Sequence, residues 1–157
     1  MLKREWLGFL IILSIAFSND KQHIEQMLED YNKAFVAGNY SEIIKFFDSP
    51  TSFNLENKTI ISKSRFKLKI IYKKIKGALP KDYAYSKWDK LEVHKTDHKI
   101  AIVYADFSRY NHKDEVIYSG SGQYSLRLKN NQWKIFSLTP YQSLIILGKK
   151  EQRVQPN

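Results

Sequence analysis

The chain contains no cysteine, which removes disulfide staples, thiolate metal sites and a cysteine nucleophile in one step. The fold must therefore be held by its core alone. Glycine and proline are sparse, six and four in 157 residues, so no Pro/Gly-rich linker or low-complexity stretch divides the chain. Acidic residues are few beside basic ones, 16 against 26, giving a formal charge of +10. The lysines and arginines are scattered along the whole length and do not gather in one stripe, so the excess does not imply a specific nucleic-acid partner. No apolar run reaches the roughly twenty residues that a membrane-crossing helix needs.

What is present suits one globular domain. The length allows a single core and is short for two. Apolar residues make up 43% and aromatics a generous 14%, enough to fill that core.

Lys3 and Arg4 precede an apolar run from Trp6 to Phe17, and Ala16 and Ser18 form an A-x-S exit. These are the parts of a secretory signal peptide. Residues 1–18 are read as that leader, cut after Ser18, which makes the protein periplasmic or secreted. The alternative is an uncleaved N-terminal segment, the only route to a membrane that the sequence offers.

From Lys21 to Ala37 apolar residues fall at Ile24, Met27, Leu28, Tyr31, Ala34 and Phe35, in the three- and four-residue steps of an amphipathic helix. Asn19 or Asp20 caps its start and Gly38 ends it. Ser41 is expected to cap a second short helix carrying Ile43, Ile44, Phe46 and Phe47 as far as Ser49-Pro50. Thr51–Ser62 reads as a hairpin turning at Asn57-Lys58. A third helix follows from Ser62 to Lys76, closed by Gly77, with Phe66, Leu68, Ile70, Ile71 and Ile75 as its apolar set. Its many lysines form a solvated face. After Leu79-Pro80 the period changes to two, and four strands are expected over 83–94, 99–110, 115–128 and 132–139. Asn130-Asn131 suits a two-residue hairpin turn. The segment 143–157 reads as a tail with an apolar patch at Leu144–Leu147. The domain proper spans 19–142.

Register follows from the turns, because parity carries across an antiparallel ladder. The Asn-Asn turn pairs Leu128 with Trp133, Leu126 with Ile135 and Tyr124 with Ser137. Pairing His94 with Lys99 sets Leu91 beside Ile102 and Val93 beside Ile100. A three-residue loop, His112 to Asp114, pairs Asp106 with Gly120 and Tyr104 with Gly122; a four-residue loop would turn the opposite face inward. With the shorter loop, one inner face holds Leu91, Val93, Ile100, Ile102, Leu126, Leu128 and Ile135. It continues into Tyr104, Asp106, Tyr118 and Tyr124, and Gly120 and Gly122 leave room among them. With Tyr31 from the first helix, these residues are the expected ligand-binding set. Asp106 is the candidate catalytic carboxylate, since a half-buried acid among tyrosines can have a raised pKa; the alternative is a purely structural acceptor.

Helices followed by a long meander through Gly120-Ser121-Gly122-Gln123-Tyr124-Ser125-Leu126-Arg127-Leu128, an Asn-rich turn and Trp133-Lys134-Ile135 resemble the SnoaL-like, nuclear transport factor 2-like superfamily. The link Ala34-Phe35-Val36-Ala37-Gly38-Asn39-Tyr40, running into Phe46-Phe47, looks like that superfamily's join between its first helices. The resemblance covers residues 21–140 and implies an α+β fold, with N-terminal helices packed on a strongly curved antiparallel sheet around a pocket. It does not imply one activity, since this fold hosts enzymes, binding domains and assembly modules. Against the ketosteroid isomerase branch, Tyr31 stands where the oxyanion tyrosine is found, seven residues before Gly38. Leu55 and Tyr124 stand where that branch has acids, so its mechanism is not implied. The histidine-aspartate pair of scytalone dehydratase is not matched either, because the four histidines fall at a terminus, in turns or on the outer face.

His94 and His98 lack a third ligand, Gly120-x-Gly122 lacks a third glycine and a helix, and no serine sits in a nucleophile elbow. No metal and no cofactor is expected. The reading is an exported binding domain for a small, mostly apolar ligand, forming a homodimer through the outer sheet face. The alternatives are an isomerase, dehydratase or hydrolase using Asp106 with pocket tyrosines, and a protein-interaction module.

Overall fold

The computed structural model describes residues 5–95 and 97–141, with side-chain surroundings described from Asp20 onward apart from Lys95. Met1–Arg4 of the expected leader and the expected tail from 143 lie outside the described residues. No described helix is long and apolar enough to cross a membrane.

The first helix, α1 (Glu5–Val36), is unbroken. Ile24, Leu28, Tyr31, Ala34 and Phe35 form its buried stripe, as the three- and four-residue spacing requires. Gly38 takes φ 65°. The Asn39 N–H then reaches the Ala34 carbonyl at 3.0 Å and the Gly38 N–H that of Phe35 at 3.1 Å, a glycine-closed helix end.

Asn39, not Ser41, caps the next helix: its side chain accepts from the Glu42 N–H at 3.2 Å. That helix, α2 (Tyr40–Ile43), is shorter than expected, and a single 3-10 turn (Ile44–Phe46) follows it. Phe47 already belongs to β1 (Phe47–Leu55), because its ring and that of Phe53 enter the core from extended backbone. β2 (Lys58–Ser62) returns with Leu55 opposite Lys58, so the turn is Glu56-Asn57, one residue earlier than expected. α3 (Arg65–Gly77) is capped by Ser64, whose hydroxyl accepts from the Lys67 N–H at 3.2 Å. Its inward face is Leu68 and Tyr72, with Ile71 and Ile75 partly buried. Phe66 faces solvent at 75% exposure and Ile70 at 38%, so the apolar set read from sequence was two residues too wide and lacked Tyr72.

Four long strands complete the chain: β3 (Tyr83–Lys95), β4 (Ile100–Asn111), β5 (Val116–Lys129) and β6 (Gln132–Tyr141). The sheet order is β2-β1-β6-β5-β4-β3, and β1 lies parallel to β6. Asn130 and Asn131 both take positive φ, 50° and 59°, which closes the last hairpin as the sequence suggested.

The register departs from expectation at bulges. The 111–115 loop is the three-residue one, with the Asn111 N–H donating to the Glu115 carbonyl at 3.0 Å. Tyr110 then pairs with Val116, but Arg109 pairs with Tyr118. Ile117 is an extra residue, and one extra residue inverts every side chain beyond it. Asp106 therefore pairs with Ser121 and Tyr104 with Gln123, while Ala105 faces Gly122 and Val103 faces Tyr124. The β3–β4 pairing differs from the turn onward, with Lys95 opposite Ala101, so Leu91 lies opposite Ala105 and Val93 opposite Val103. The inner face of β4 is Ala101, Val103, Ala105, Phe107 and Arg109. Ile100, Ile102, Tyr104 and Asp106 point to the outer face, which corrects four of the positions assigned inward. Leu126, Ile135 and Trp133 are buried as expected, and Leu91, Val93 and Leu128 are partly buried against the same core. Further bulges at Asp89 on β3 and Phe136 on β6 bend the sheet around α1 and α3.

Candidate functional site

A cavity of about 240 Å³ lies between α1, α3 and the inner sheet face. α1 contributes Tyr31, Asn32 and Phe35, and α3 contributes Tyr72 and Ile75. Phe107, Arg109, Gly122 and Tyr124 close it from β4 and β5, Ser86 and Trp88 from β3, and Leu138 from β6. Trp88 is fixed by its indole N–H, which donates to the Leu28 carbonyl at 3.1 Å. Asn32 is fixed by donation to the Ser86 carbonyl at 2.9 Å.

Tyr31 is the centre of this aromatic wall. Its ring meets Phe47 at 5.8 Å, Tyr72 and Tyr124 each at 6.2 Å, and stacks on Trp88 at 6.5 Å. These are the offset and edge-on arrangements that aromatic quadrupoles favour. The Tyr31 and Tyr72 hydroxyls hydrogen-bond at 2.9 Å, and the Tyr124 ring packs edge-on against Tyr31. Burial pushes all three phenols well above their ordinary pKa of 10.0, since a phenolate would be desolvated there. They remain O–H donors throughout the neutral range. The Tyr31–Tyr72 bond spends one donor hydrogen, which leaves phenol O–H groups for an outside acceptor.

Arg109 is the cavity's cation, and the sequence reading did not find it. Its guanidinium lies 5.1 Å from the Phe107 ring and 5.0 Å from that of Tyr118. Nearby, Lys76 donates to the carbonyls of Phe35 and Val36, each at 2.9 Å, at the end of α1. Burial, and then the Arg109 charge, lower the Lys76 pKa. Among the described residues none that lines the cavity is a carboxylate or a histidine. The described lining offers donors and apolar surface.

Of the five expected site residues, Tyr31 and Tyr124 meet in the cavity. Tyr118 is 42% exposed and packs on Phe107 at 5.9 Å without lining it. Tyr104 and Asp106 are on the outer face: Tyr104 packs edge-on against His94 at 5.6 Å, and Asp106 accepts from the Ser121 hydroxyl at 2.6 Å. Asp106 therefore cannot serve as the base of this cavity. Tyr72 and Trp88 were also missed. Tyr72 was legible as the residue four after Leu68. Arg109 and Phe107 follow from the alternation Ala101, Val103, Ala105, which is less hydrophobic than its neighbours and was passed over for that reason.

A larger hollow of about 710 Å³ is bounded by α1, Lys45 and the β5–β6 turn. It is an open surface depression with charged walls, including Asp20, Asp30, Glu42 and Lys45, and lacks the converging aromatic groups of the inner cavity. Among the described residues no group of acids and histidines is placed to hold a metal ion.

Residues 20–143 match a known family model, described as NTF2-like protein (DUF6841). The chain belongs to this NTF2-like family. Solved structures agree on the fold. An NTF2-like protein with a cystatin-like fold from Novosphingobium aromaticivorans superposes with a TM-score of 0.69 at 10% identity, covering 88% of this chain and 90% of its own. A protein of unknown function from Nostoc punctiforme gives 0.67 at 12% identity, covering 82% and 94%. A putative aromatic ring hydroxylase from Novosphingobium aromaticivorans gives 0.62 at 12% identity, covering 78% and 87%. Identities this low bear on the NTF2-like fold alone. No curated protein matches the sequence.

Proposed function

We propose that this NTF2-like protein binds a small, mostly apolar molecule in the inner cavity and does not transform it. The observation that carries the reading is the largely aromatic wall built on Tyr31, with buried phenols and no acid or histidine among the described lining residues. A pocket of this kind gains most of its affinity from apolar contact and its orientation from a few polar groups. The volume corresponds to roughly eight water molecules at about 30 Å³ each, the size of a single ring with a short substituent.

Indole, a neutral ring of that size, is a suitable probe. It is expected to raise the melting temperature of the full-length chain and to give a saturable calorimetric binding signal. Gly122→Leu, which sends a branched side chain toward Tyr124 and Leu138, should abolish both effects. Binding that survives Gly122→Leu would place the ligand elsewhere.

The export reading accompanies this proposal. Cleavage after Ser18 would leave α1 starting beside Asn19 and Asp20 and keep its buried stripe from Ile24 onward intact. N-terminal mass analysis of protein recovered outside the cytoplasm tests it; an N-terminus other than Asn19 would refute this cut.

A further inference from the structure

We propose that the cavity selects a small carboxylate with an apolar body, and that Arg109 is the residue that reads the charge. This rests on the binding reading above and names the class of ligand. Arg109 reaches the cavity from the inner face of β4. It makes no hydrogen bond and no ion pair among the described residues, and its Nε is buried without a partner. Its guanidinium lies over the faces of Phe107 and Tyr118, which hold its plane but use none of its five N–H groups.

Among the described residues nothing compensates the positive charge. The charged and titratable groups facing it are Lys76 from α3, Tyr83 from β3, Tyr31 from α1 and Tyr124 from β5. None of them is an acid in its ionised form, and Lys76 adds a second cation. Elsewhere in the molecule buried or half-buried charges are answered: Asp48 by Arg127 and Lys129, Asp106 by Ser121. Among the described residues Arg109 is the exception, and it lines the inner cavity.

A ligand carboxylate fits what is left open. The guanidinium fork matches a carboxylate in a bidentate way. The cavity phenols are kept protonated by burial, so a free O–H can donate to the same or a second ligand oxygen. The aromatic wall takes the apolar body. A cationic ligand meets two like charges and no acceptor carboxylate.

An isosteric trio separates charge from shape: phenylacetate, 2-phenylacetamide and 2-phenylethylamine, titrated calorimetrically into the full-length chain at neutral pH. Phenylacetate is expected to bind at least about tenfold tighter than the amide, the worth of one charge-assisted contact, and the amine not measurably. Arg109→Gln should bring phenylacetate down to the level of the amide while leaving amide binding within about twofold; Arg109→Lys should recover only part of the preference. Equal binding of acid and amide by the wild-type protein overturns the carboxylate assignment and leaves the pocket reading standing. A preference that persists in Arg109→Gln overturns the role of Arg109. Failure of all three compounds and of indole to bind overturns the pocket reading itself, and the carboxylate assignment with it.

Discussion

Replacing Gly120 by alanine and Gly122 by alanine should have opposite consequences, although the two lie two residues apart on the same face of β5. A Cβ at Gly120 would stand 2.7 Å from Tyr118 Cε1, 2.9 Å from Phe107 Cζ and 2.9 Å from the Tyr118 hydroxyl. Tyr118 is 42% exposed and can swing away, losing its contact with Arg109. Phe107 is held edge-on against Trp88 at 6.3 Å, so moving it disturbs the cavity wall. Overpacking of this kind costs about 1–3 kcal/mol, against a gain of about 0.4–1 kcal/mol from restricting the unfolded chain. A net loss of about 1–2 kcal/mol lowers the melting temperature of a domain this size by roughly 3–10 °C. At Gly122 the nearest atoms to a Cβ are the Thr139 carbonyl oxygen and Tyr124 Cε2, both at 3.6 Å, which is ordinary contact. Only the unfolded-state gain then applies, and Gly122→Ala should melt within about 2 °C of the parent or slightly above it. Differential scanning calorimetry of the pair decides the matter. A Gly120→Ala protein as stable as Gly122→Ala would mean that Phe107 and Tyr118 do not occupy the space above Gly120, and the described inner face would be wrong.

The face assignment has a second test in Leu126→Ala and Ile102→Ala: the first empties a fully buried site and should cost about 2–5 kcal/mol in urea unfolding, the second lies outward and should cost about 1 kcal/mol or less, and equal losses would contradict the register. Asp48→Asn addresses the charge cluster on β1, where Lys129 at 2.8 Å and Arg127 at 3.1 Å meet a buried carboxylate. Burial alone would raise that carboxyl, but the hydrogen bonds from Lys129 and the Ser49 N–H and the charges of both cations outweigh it, so its folded pKa lies below the ordinary 3.8. A depressed carboxylate stabilises the fold above its unfolded pKa and loses that contribution as pH falls through the folded value. Wild type should therefore exceed Asp48→Asn by about 1–2 kcal/mol at pH 7, discounted for the half-exposed cations, and the gap should close below about pH 4. A gap that is unchanged at pH 2.5 would exclude the ion pairs as its source.

The elements of this chain follow from local chemistry. The spacing of Ile24, Leu28, Tyr31 and Phe35 makes α1 amphipathic whatever surrounds it, Gly38 supplies the positive φ that ends it, and Asn130-Asn131 closes the last hairpin because asparagine accepts that backbone. The four long strands, the family resemblance and the place of Tyr31 and Tyr124 in the pocket were all legible on that basis. Which face of β4 turns inward was not. The pairing expected at the His112–Asp114 loop holds for Tyr110 and Val116, and one extra residue, Ile117, then inverts everything upstream. Sequence hydrophobicity pointed the wrong way, since Ile100 and Ile102 outrank Ala101, Val103 and Ala105. The small residues are inside because α1 and α3, with Tyr31 and Tyr72, fill the space that larger strand side chains would need. A bulge costs little locally and is chosen by how the whole sheet bends around the helices, so only the assembled fold could carry Asp106 out of the cavity and bring Arg109 into it.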